Sequence, residues 1–125
     1  MHEMALCTEV VDTVLDVARD ADAVSVDGVT MVIGEMRDII EDMFDSFFHY
    51  LTRGTIAENC TVSFLTVPVT VTCKDCDAGY RIDLHSGEPL SCPQCGSREY
   101  QFASGNEFLI ESIDITTRDE AADAA

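Results

Sequence analysis

Four cysteines in two spaced pairs constrain this chain more than any other feature of its sequence. Two residues separate the members of each pair and fifteen lie between the pairs, with the cysteines at Cys73, Cys76, Cys92 and Cys95. The pattern C-x2-C-x15-C-x2-C is typical of a zinc ribbon, in which two tight turns direct four thiolates toward one tetrahedral Zn²⁺. A shell of four protein sulfurs leaves no coordination position for water or substrate. The spacing therefore predicts a structural zinc site in a small β subdomain.

Other uses of the cysteines stay open at this point. Iron could occupy the same sulfur shell, since spacing alone does not distinguish it from zinc. A redox pair would need a CxxC that opens a helix in a βαβ setting, and this region lacks such a setting. The enclosed segment of about 30 residues is too small to fold on apolar side chains alone, so metal binding should supply much of its folding free energy. The unpaired Cys7 and Cys60 are expected to be buried as small apolar side chains.

Charge and hydropathy exclude two classes of partner. The chain carries 24 Asp and Glu against 7 Lys and Arg, a formal net charge of -17 at pH 7. Because nucleic-acid affinity depends on neutralising phosphates with Lys and Arg, we expect no nucleic-acid partner. No apolar run reaches the roughly 20 residues of a membrane span, and no signal peptide is apparent, so we expect a cytoplasmic protein without a membrane partner. In a reducing cytoplasm, six cysteines favour metal chemistry over disulfides.

Helical periodicity appears first near the amino terminus. Apolar side chains recur at intervals of three and four along residues 10–18 while aspartates fall on another face, which predicts an amphipathic helix over about 8–23. Asp27 and Gly28 then predict a turn. The β-branched run at 29–33 follows this turn and predicts a buried strand.

The strongest periodicity lies in a stretch rich in Met and Phe. Its apolar side chains fall at intervals of three and four and predict a second helix over about 36–53. Asp38 is the expected N-cap, answered by Glu41 three residues later. We expect this apolar face to pack against a sheet, although a Met-rich stripe is also compatible with a ligand groove.

The strands of the second half indicate two sheets. Apolar residues occupy even positions over 60–64 and odd positions over 65–71, and a shift of one residue exchanges the two faces of a strand. Either a bulge lies near Leu65 or the chain passes from one sheet to another there. The apolar strand at 106–116 needs a partner sheet that the small cysteine segment cannot provide, so we expect it to return to the first domain.

These features predict an α+β fold with two domains. Two helices pack on a small, mostly antiparallel sheet to form a domain of residues 1–70 and 104–117. A zinc-ribbon-like β subdomain, the zinc-binding domain of residues 71–103, is inserted in it. The stretch 118–125 is acidic and lacks apolar periodicity, which predicts a disordered tail.

The amino terminus offers a second set of metal donors. The chain begins Met1-His2-Glu3, so the terminal amine, the amide nitrogen of His2 and its imidazole can close adjacent chelate rings, with the Glu3 amide or carboxylate next in line. A planar, nitrogen-rich set suits Ni²⁺ or Cu²⁺ better than Zn²⁺ or Mg²⁺. A histidine in second position also occurs by chance at frayed chain ends, so the spacing alone does not decide for a metal site.

Several ordered blocks of the sequence resemble the HypA/HybF family of nickel metallochaperones. They are the opening MHEMALC, the strand-turn VIGEM, RGTIAENC leading into FLTVPVTVTC, the two cysteine pairs and the late GNEFLIESIDI, over roughly residues 1–116. The resemblance implies an α/β nickel-binding domain with its site at Met1, His2 and Glu3, and a zinc domain held by the two cysteine pairs. It also implies a carrier of Ni²⁺ rather than an enzyme.

The same resemblance implies partners. The family delivers nickel to the large subunit of the NiFe-hydrogenase together with the maturation GTPase HypB, and in some organisms it supports urease, which adds urease accessory proteins. Some relatives use a carboxylate near the start of the second helix at the nickel site. Glu41 or Asp42 could take that role here, but the local MRDIIED departs from the usual pattern.

One rival interpretation comes from a different class of protein. A zinc-ribbon adaptor would use the cysteine segment for protein interaction and would have no nickel role, so the opening Met-His-Glu would be incidental. An enzyme has less support, because the sequence contains no Walker-type phosphate loop, nucleophile elbow or HExxH.

Overall fold

The computed structural model describes residues 3–83 and 90–124. None of the helices in these ranges is long and apolar enough to cross a membrane. In chain order the helices and strands are α1 (Glu3–Asp20), β1 (Ala23–Gly34), α2 (Glu41–Leu51), β2 (Thr61–Val67), β3 (Thr70–Cys73), β4 (Gly79–Arg81), β5 (Tyr100–Ser104), β6 (Phe108–Thr117) and α3 (Arg118–Ala124).

The chain divides into two compact units, and the second is not one continuous insertion. We placed the inserted subdomain at 71–103, whereas the structure adds an earlier segment to it. The first unit comprises Met1–Val32, Ile39–Leu65 and Leu109–Ala125, and the second comprises Ile33–Asp38 and Thr66–Phe108.

Two glycines explain why the Ile33–Asp38 segment belongs to the second unit. A Cβ atom at Gly34 would lie 2.1 Å from the carbonyl carbon and oxygen of Gly105, so the two backbones touch. Around this crossing, the Gly34 N–H donates to the Glu107 carbonyl and the Met36 N–H donates to the Gly105 carbonyl, both at 2.8 Å. Such a close backbone approach is available only to glycine.

Helix α1 begins earlier than predicted, at Glu3 rather than near residue 8. Its buried face includes Glu3 and Cys7 as well as the valines on which the prediction rested. Because residues four apart share one face of a helix, these two side chains extend the face toward the amino terminus. The predicted end near residue 23 was too late, since Asp22 has a left-handed backbone (φ 56°), which terminates the helix.

The predicted turn at Asp27 and Gly28 is wrong, because both residues lie inside strand β1. The Asp27 carboxylate accepts hydrogen bonds from the hydroxyls of Ser25 (2.9 Å) and of Thr116 in β6 (2.6 Å). A Cβ atom at Gly28 would lie 2.9 Å from Oδ2 of Asp114. The glycine therefore permits close packing between strands instead of a change of direction.

Helix α2 begins later than predicted, at Glu41. A 3-10 turn over Glu35–Arg37 precedes it, and Asp38 follows this turn with a left-handed backbone (φ 53°). The Asp38 N–H donates to the Glu35 carbonyl (3.4 Å), so Asp38 closes the 3-10 turn. Ile40 occupies the N-cap of α2, and the predicted Asp38 cap is wrong.

The core of the first unit lies between the two long helices and a sheet of order β2-β1-β6. Phe44 and Phe48 on α2 are fully buried, and the Phe44 ring meets the edge of the Phe64 ring of β2 at 5.8 Å. The Met- and Phe-rich face of α2 thus packs on the sheet, as expected. Cys7 and Cys60 are buried in this core, which confirms the prediction for the unpaired cysteines.

The chain changes sheets between β2 and β3. Strand β3 is the centre of a second sheet of order β4-β3-β5, in which β3 pairs antiparallel with both neighbours. Pro68 lies between β2 and β3, where its missing N–H interrupts no strand pairing. The change of apolar parity near Leu65 therefore reflects a crossing between sheets, the second of the two expected explanations. Strand β6 returns to lie beside β1, also as expected.

The acidic stretch predicted to be a disordered tail forms α3 over the part that the structure describes. Thr117 caps this helix, because its hydroxyl accepts the Glu120 N–H (3.4 Å) and donates to the Glu120 carboxylate (3.1 Å). Alanines with high helix propensity fill the following turn. The prediction failed because it considered apolar periodicity and not capping.

Candidate metal centre

Four thiols converge in the second unit. Their sulfur atoms all lie within 4.8 Å of one another, in a cluster formed by Cys73, Cys76, Cys92 and Cys95. The closest sulfur pairs, Cys73 with Cys95 and Cys76 with Cys92, are 3.6 Å and 3.5 Å apart. At the usual Zn–S distance of about 2.3 Å, tetrahedral sulfurs stand about 3.8 Å apart. The structure therefore brings the four predicted ligands to nearly the spacing that a tetrahedral metal requires.

Two turns of the same construction hold these thiols. In each turn the residue four positions after the first cysteine donates its N–H to the carbonyl of that cysteine: Asp77 to Cys73 (3.0 Å) and Gly96 to Cys92 (2.8 Å). Both donors have a left-handed backbone, with φ of 61° at Asp77 and 76° at Gly96. The repeated geometry directs the cysteines of both pairs toward one point.

The backbone around Cys92 favours its thiolate form. The amide N–H groups of Cys95, first, and of Gln94 lower the pKa of Cys92 to about 7, and the Gln94 N–H lies 3.4 Å from the Cys92 sulfur. Although the Ala78 amide lowers the pKa of Cys76, the neighbouring thiols and burial raise it to about 12. Ionisation of one thiol in the cluster therefore disfavours ionisation of the next. A bound cation would offset this repulsion, because metals bind thiolates.

The four sulfurs differ in their access to solvent. Cys73 and Cys92 are buried, whereas Cys76 and Cys95 are exposed. Tyr80, which was not among the predicted site residues, lies on strand β4 of the same unit. Its hydroxyl oxygen is buried and has no hydrogen-bond partner among the described residues. The only sequence signal for Tyr80 was its position just after the first cysteine turn, because its placement depends on strand pairing.

The structure describes only the last residue of the predicted nickel set. Met1 and His2 lie outside the described residues. Glu3 begins α1, is 4% exposed and shares the buried helix face with Cys7. Its Oε2 atom is buried without a hydrogen-bond partner in the described part of the chain. An unpaired buried carboxylate oxygen is costly, and a cation bound at the neighbouring chain end would offset that cost.

The two carboxylates considered as assisting ligands lie on a different element. Glu41 and Asp42 form the first turn of α2, and both are exposed. Acidic side chains are favourable at this end of a helix, which gives them a structural role independent of any metal. Their participation in nickel binding stays a prediction.

Comparison with known proteins decides the family. The family model described as "Hydrogenase/urease nickel incorporation, metallochaperone, hypA" matches residues 1–115 of the chain. The chain belongs to the HypA family. The resemblance seen in the ordered sequence blocks is thereby confirmed, and the family is one of metallochaperones that act in hydrogenase maturation.

Curated HypA-family relatives match along nearly their whole length. The hydrogenase maturation factor HypA of Pyrococcus furiosus is 33% identical over 138 residues, covering 96% of this chain and 99% of the relative. HypA of Dehalococcoides mccartyi is 29% identical over 122 residues, covering 98% and 100%. The hydrogenase maturation factor HybF of Morganella morganii is 28% identical over 114 residues, covering 91% and 98%.

Solved structures of the family share this fold. The solution structure of the nickel metallochaperone HypA from Helicobacter pylori has a TM-score of 0.64 at 22% identity and covers 94% of this chain and 100% of that chain. A second solution structure of a HypA protein has a TM-score of 0.71 at 20% identity and covers 94% of this chain and 98% of that chain. The predicted α+β fold class, with small antiparallel strands around a four-cysteine cluster, is confirmed.

Proposed function

We propose that this protein binds Ni²⁺ at its amino terminus and delivers it to the large subunit of the NiFe-hydrogenase during maturation of that enzyme. The GTPase HypB is the proposed partner in delivery, and urease accessory proteins are further partners where urease is present. The role of the family, hydrogenase or urease nickel incorporation, supports this proposal. The protein itself has no catalytic role in the proposal, and nickel is its cargo.

The proposed nickel ligands are the terminal amine of Met1, the amide nitrogen and imidazole of His2, and Glu3. The observation that carries this proposal is the buried Oε2 atom of Glu3, which lacks a partner among the described residues. Nitrogen donors next to one carboxylate suit Ni²⁺. A site at a chain end can exchange its ligands one at a time with those of a receiving protein, which favours transfer over retention.

The four cysteines hold a structural Zn²⁺ in this proposal. Their sulfur spacing fits a tetrahedral shell, and four protein ligands close that shell to substrate. The metal would contribute folding free energy to the second unit, whose apolar core of Val69, Val71 and Ile82 is small. None of the six cysteines forms a disulfide, which is compatible with the reducing cytoplasm where we place the protein.

Nickel titration of the zinc-loaded protein tests the nickel assignment. The wild type should bind one equivalent of Ni²⁺, and His2→Ala or an amino-terminal extension that removes the free first amine should abolish tight binding. Glu9→Gln, on an exposed part of α1, is the matched control and should bind like the wild type. Equal nickel uptake by the wild type and His2→Ala would refute the site and favour an adaptor without a nickel role.

A further inference from the structure

The hydroxyl group of Tyr80 belongs to strand β4, which follows the first cysteine turn in the second unit. Its oxygen is buried and has no hydrogen-bond partner in the described ranges. Burial raises the pKa of Tyr80, and the nearby sulfurs of Cys92 and then Cys73 raise it further. A buried hydroxyl without an acceptor is unfavourable, and a thiolate of the metal-bound site would supply an acceptor.

Strand pairing places the Tyr80 side chain on the face of the second sheet that carries Cys73. Tyr80 of β4 lies directly opposite Val71 of β3, and directly opposite residues point to the same face. Cys73 lies two positions after Val71 on the same strand, so it shares that face. Val71 and Cys73 are both buried there.

The buried sulfurs of the cluster differ from the exposed ones in their access to water. Cys73 and Cys92 are buried, whereas Cys76 and Cys95 are exposed and can accept hydrogen bonds from water. Metal-bound thiolates carry negative charge and accept hydrogen bonds, and the buried pair needs donors from the protein itself. The backbone provides one, because the Gln94 N–H donates to the Cys92 sulfur at 3.4 Å.

We propose that Tyr80 is a positioning residue of the metal site, whose hydroxyl donates its single hydrogen bond to one thiolate of the buried pair Cys73 and Cys92 when metal is bound. The inference rests on the proposed metal occupancy of the four cysteines. The bond lowers the electron density on the thiolate but stabilises it against protonation, and at neutral pH this second effect strengthens metal binding. It also gives the buried hydroxyl an acceptor that the described residues do not otherwise provide.

Tyr80→Phe removes only the hydroxyl and keeps the ring that packs against Val69, Val71 and Ile82. Tyr100→Phe is the matched control. Tyr100 lies directly opposite Cys73 on β5 and packs against the same apolar residues, but its hydroxyl is not among the described oxygens that are buried without a partner. The two variants therefore separate hydrogen bonding from general packing.

The experiment uses Co²⁺ as a probe in the full chain freed of metal. Competition titration gives the affinity, and the thiolate-to-cobalt charge-transfer band reports the electron density on sulfur. In Tyr80→Phe we expect an affinity about tenfold lower, the lower end of the usual effect of losing such a partner. We also expect the band to move to longer wavelength, because the unbonded thiolates donate more strongly. Tyr100→Phe should match the wild type in both measurements.

Wild-type affinity and spectrum in Tyr80→Phe would overturn the inference. Equal losses in the two variants, or an affinity loss without a band shift, would also overturn it, because packing alone would then explain the effect. A wild-type protein that shows no thiolate-to-cobalt band would instead overturn the metal assignment of the four cysteines, and the role of Tyr80 with it. The first three results leave that assignment intact, so the two failures are distinguishable.

Discussion

Because the Glu3 carboxylate is buried, we predict that replacing it raises the stability of the protein and lowers its nickel affinity. In Glu3→Met, an apolar side chain of similar length replaces a carboxylate whose Oε2 atom is buried without a partner among the described residues. Removing such an unsatisfied group recovers about 1–3 kcal/mol. Losing an acidic side chain from the first turn of α1 costs about 0.3–1 kcal/mol. The free energy of unfolding of the nickel-free protein should therefore rise by about 1–2 kcal/mol, while nickel affinity falls.

Urea unfolding of the nickel-free, zinc-loaded protein measures the first part of this prediction. The helical circular dichroism signal reports on the first unit, because α1 and α2 both belong to it. Glu9→Met is the control, since Glu9 is an exposed residue of the same helix and its replacement should change stability by no more than about 0.5 kcal/mol. Nickel titration of both variants measures the second part.

A lower stability of Glu3→Met than of Glu9→Met would refute this reasoning. It would mean that the Glu3 carboxylate makes favourable contacts in the nickel-free protein and does not need a bound cation to offset its burial. Unchanged nickel affinity in Glu3→Met would separately remove Glu3 from the ligand set.

Three further predictions concern the backbone crossing, the buried thiols and the metal. Gly34→Ala should lower the free energy of unfolding by about 3 kcal/mol or more in urea titration, since its Cβ atom would lie 2.1 Å from Gly105. Gly79→Ala is the control and should cost far less, because the nearest neighbour of its Cβ atom would be 4.0 Å away. Equal losses in the two variants would contradict the backbone crossing. Burial raises the pKa of Cys7 from 9.0 to about 12 and that of Cys60 from 9.0 to about 11, so the folded state favours the neutral thiols. Their contribution to stability is complete below pH 9 and should fall above pH 9 by about 1.4 kcal/mol per pH unit and thiol. The free energy of unfolding of Cys60→Ala should therefore fall less steeply with pH than that of the wild type. The same slope in Cys60→Ala and the wild type would contradict the prediction. Removal of metal by a chelator should abolish amide exchange protection in β3 while α1 stays protected, and retained protection in β3 would show that the sheet folds without metal.

Short sequence patterns predicted those structural features that are determined by a few residues close together in the chain. The two CxxC spacings predicted converging thiols, because the hydrogen bonds that shape each turn join residues only four positions apart. The parity change near Leu65 predicted either a bulge or a crossing between sheets for a similar reason, since successive side chains of a strand point to opposite faces. Both features depend on residues that are close together in the sequence.

Features that depend on distant residues could not be predicted in this way. Asp27 and Gly28 are typical of a turn, but Thr116 and Asp114 from β6 determine their role in a strand. The 33–38 segment belongs to the second unit because of contacts with residues far along the chain, among them the approach of Gly105 to Gly34. The sequence contains each of these residues but does not show which of them meet.

Two buried polar atoms without a partner among the described residues could not be predicted for a different reason. Glu3 precedes the apolar periodicity of α1, so its burial on the helix face was not visible in the pattern. Tyr80 acquires its place from the register of β4 against β3. Both atoms are exceptions to the usual rule that buried polar groups are paired; Glu3 is itself a proposed nickel ligand, and Tyr80 belongs to the unit that holds the four cysteines.

X-ray absorption spectroscopy of the zinc-loaded protein with one equivalent of Ni²⁺ tests the central claim most directly. We expect a nickel first shell of nitrogen and oxygen donors with imidazole scattering, which His2→Ala should remove, and a zinc shell of four sulfurs that nickel leaves unchanged. Thiolate sulfur bound to nickel, or an imidazole signal that persists in His2→Ala, would contradict the assignment of cargo to the chain end and of structure to the cysteines.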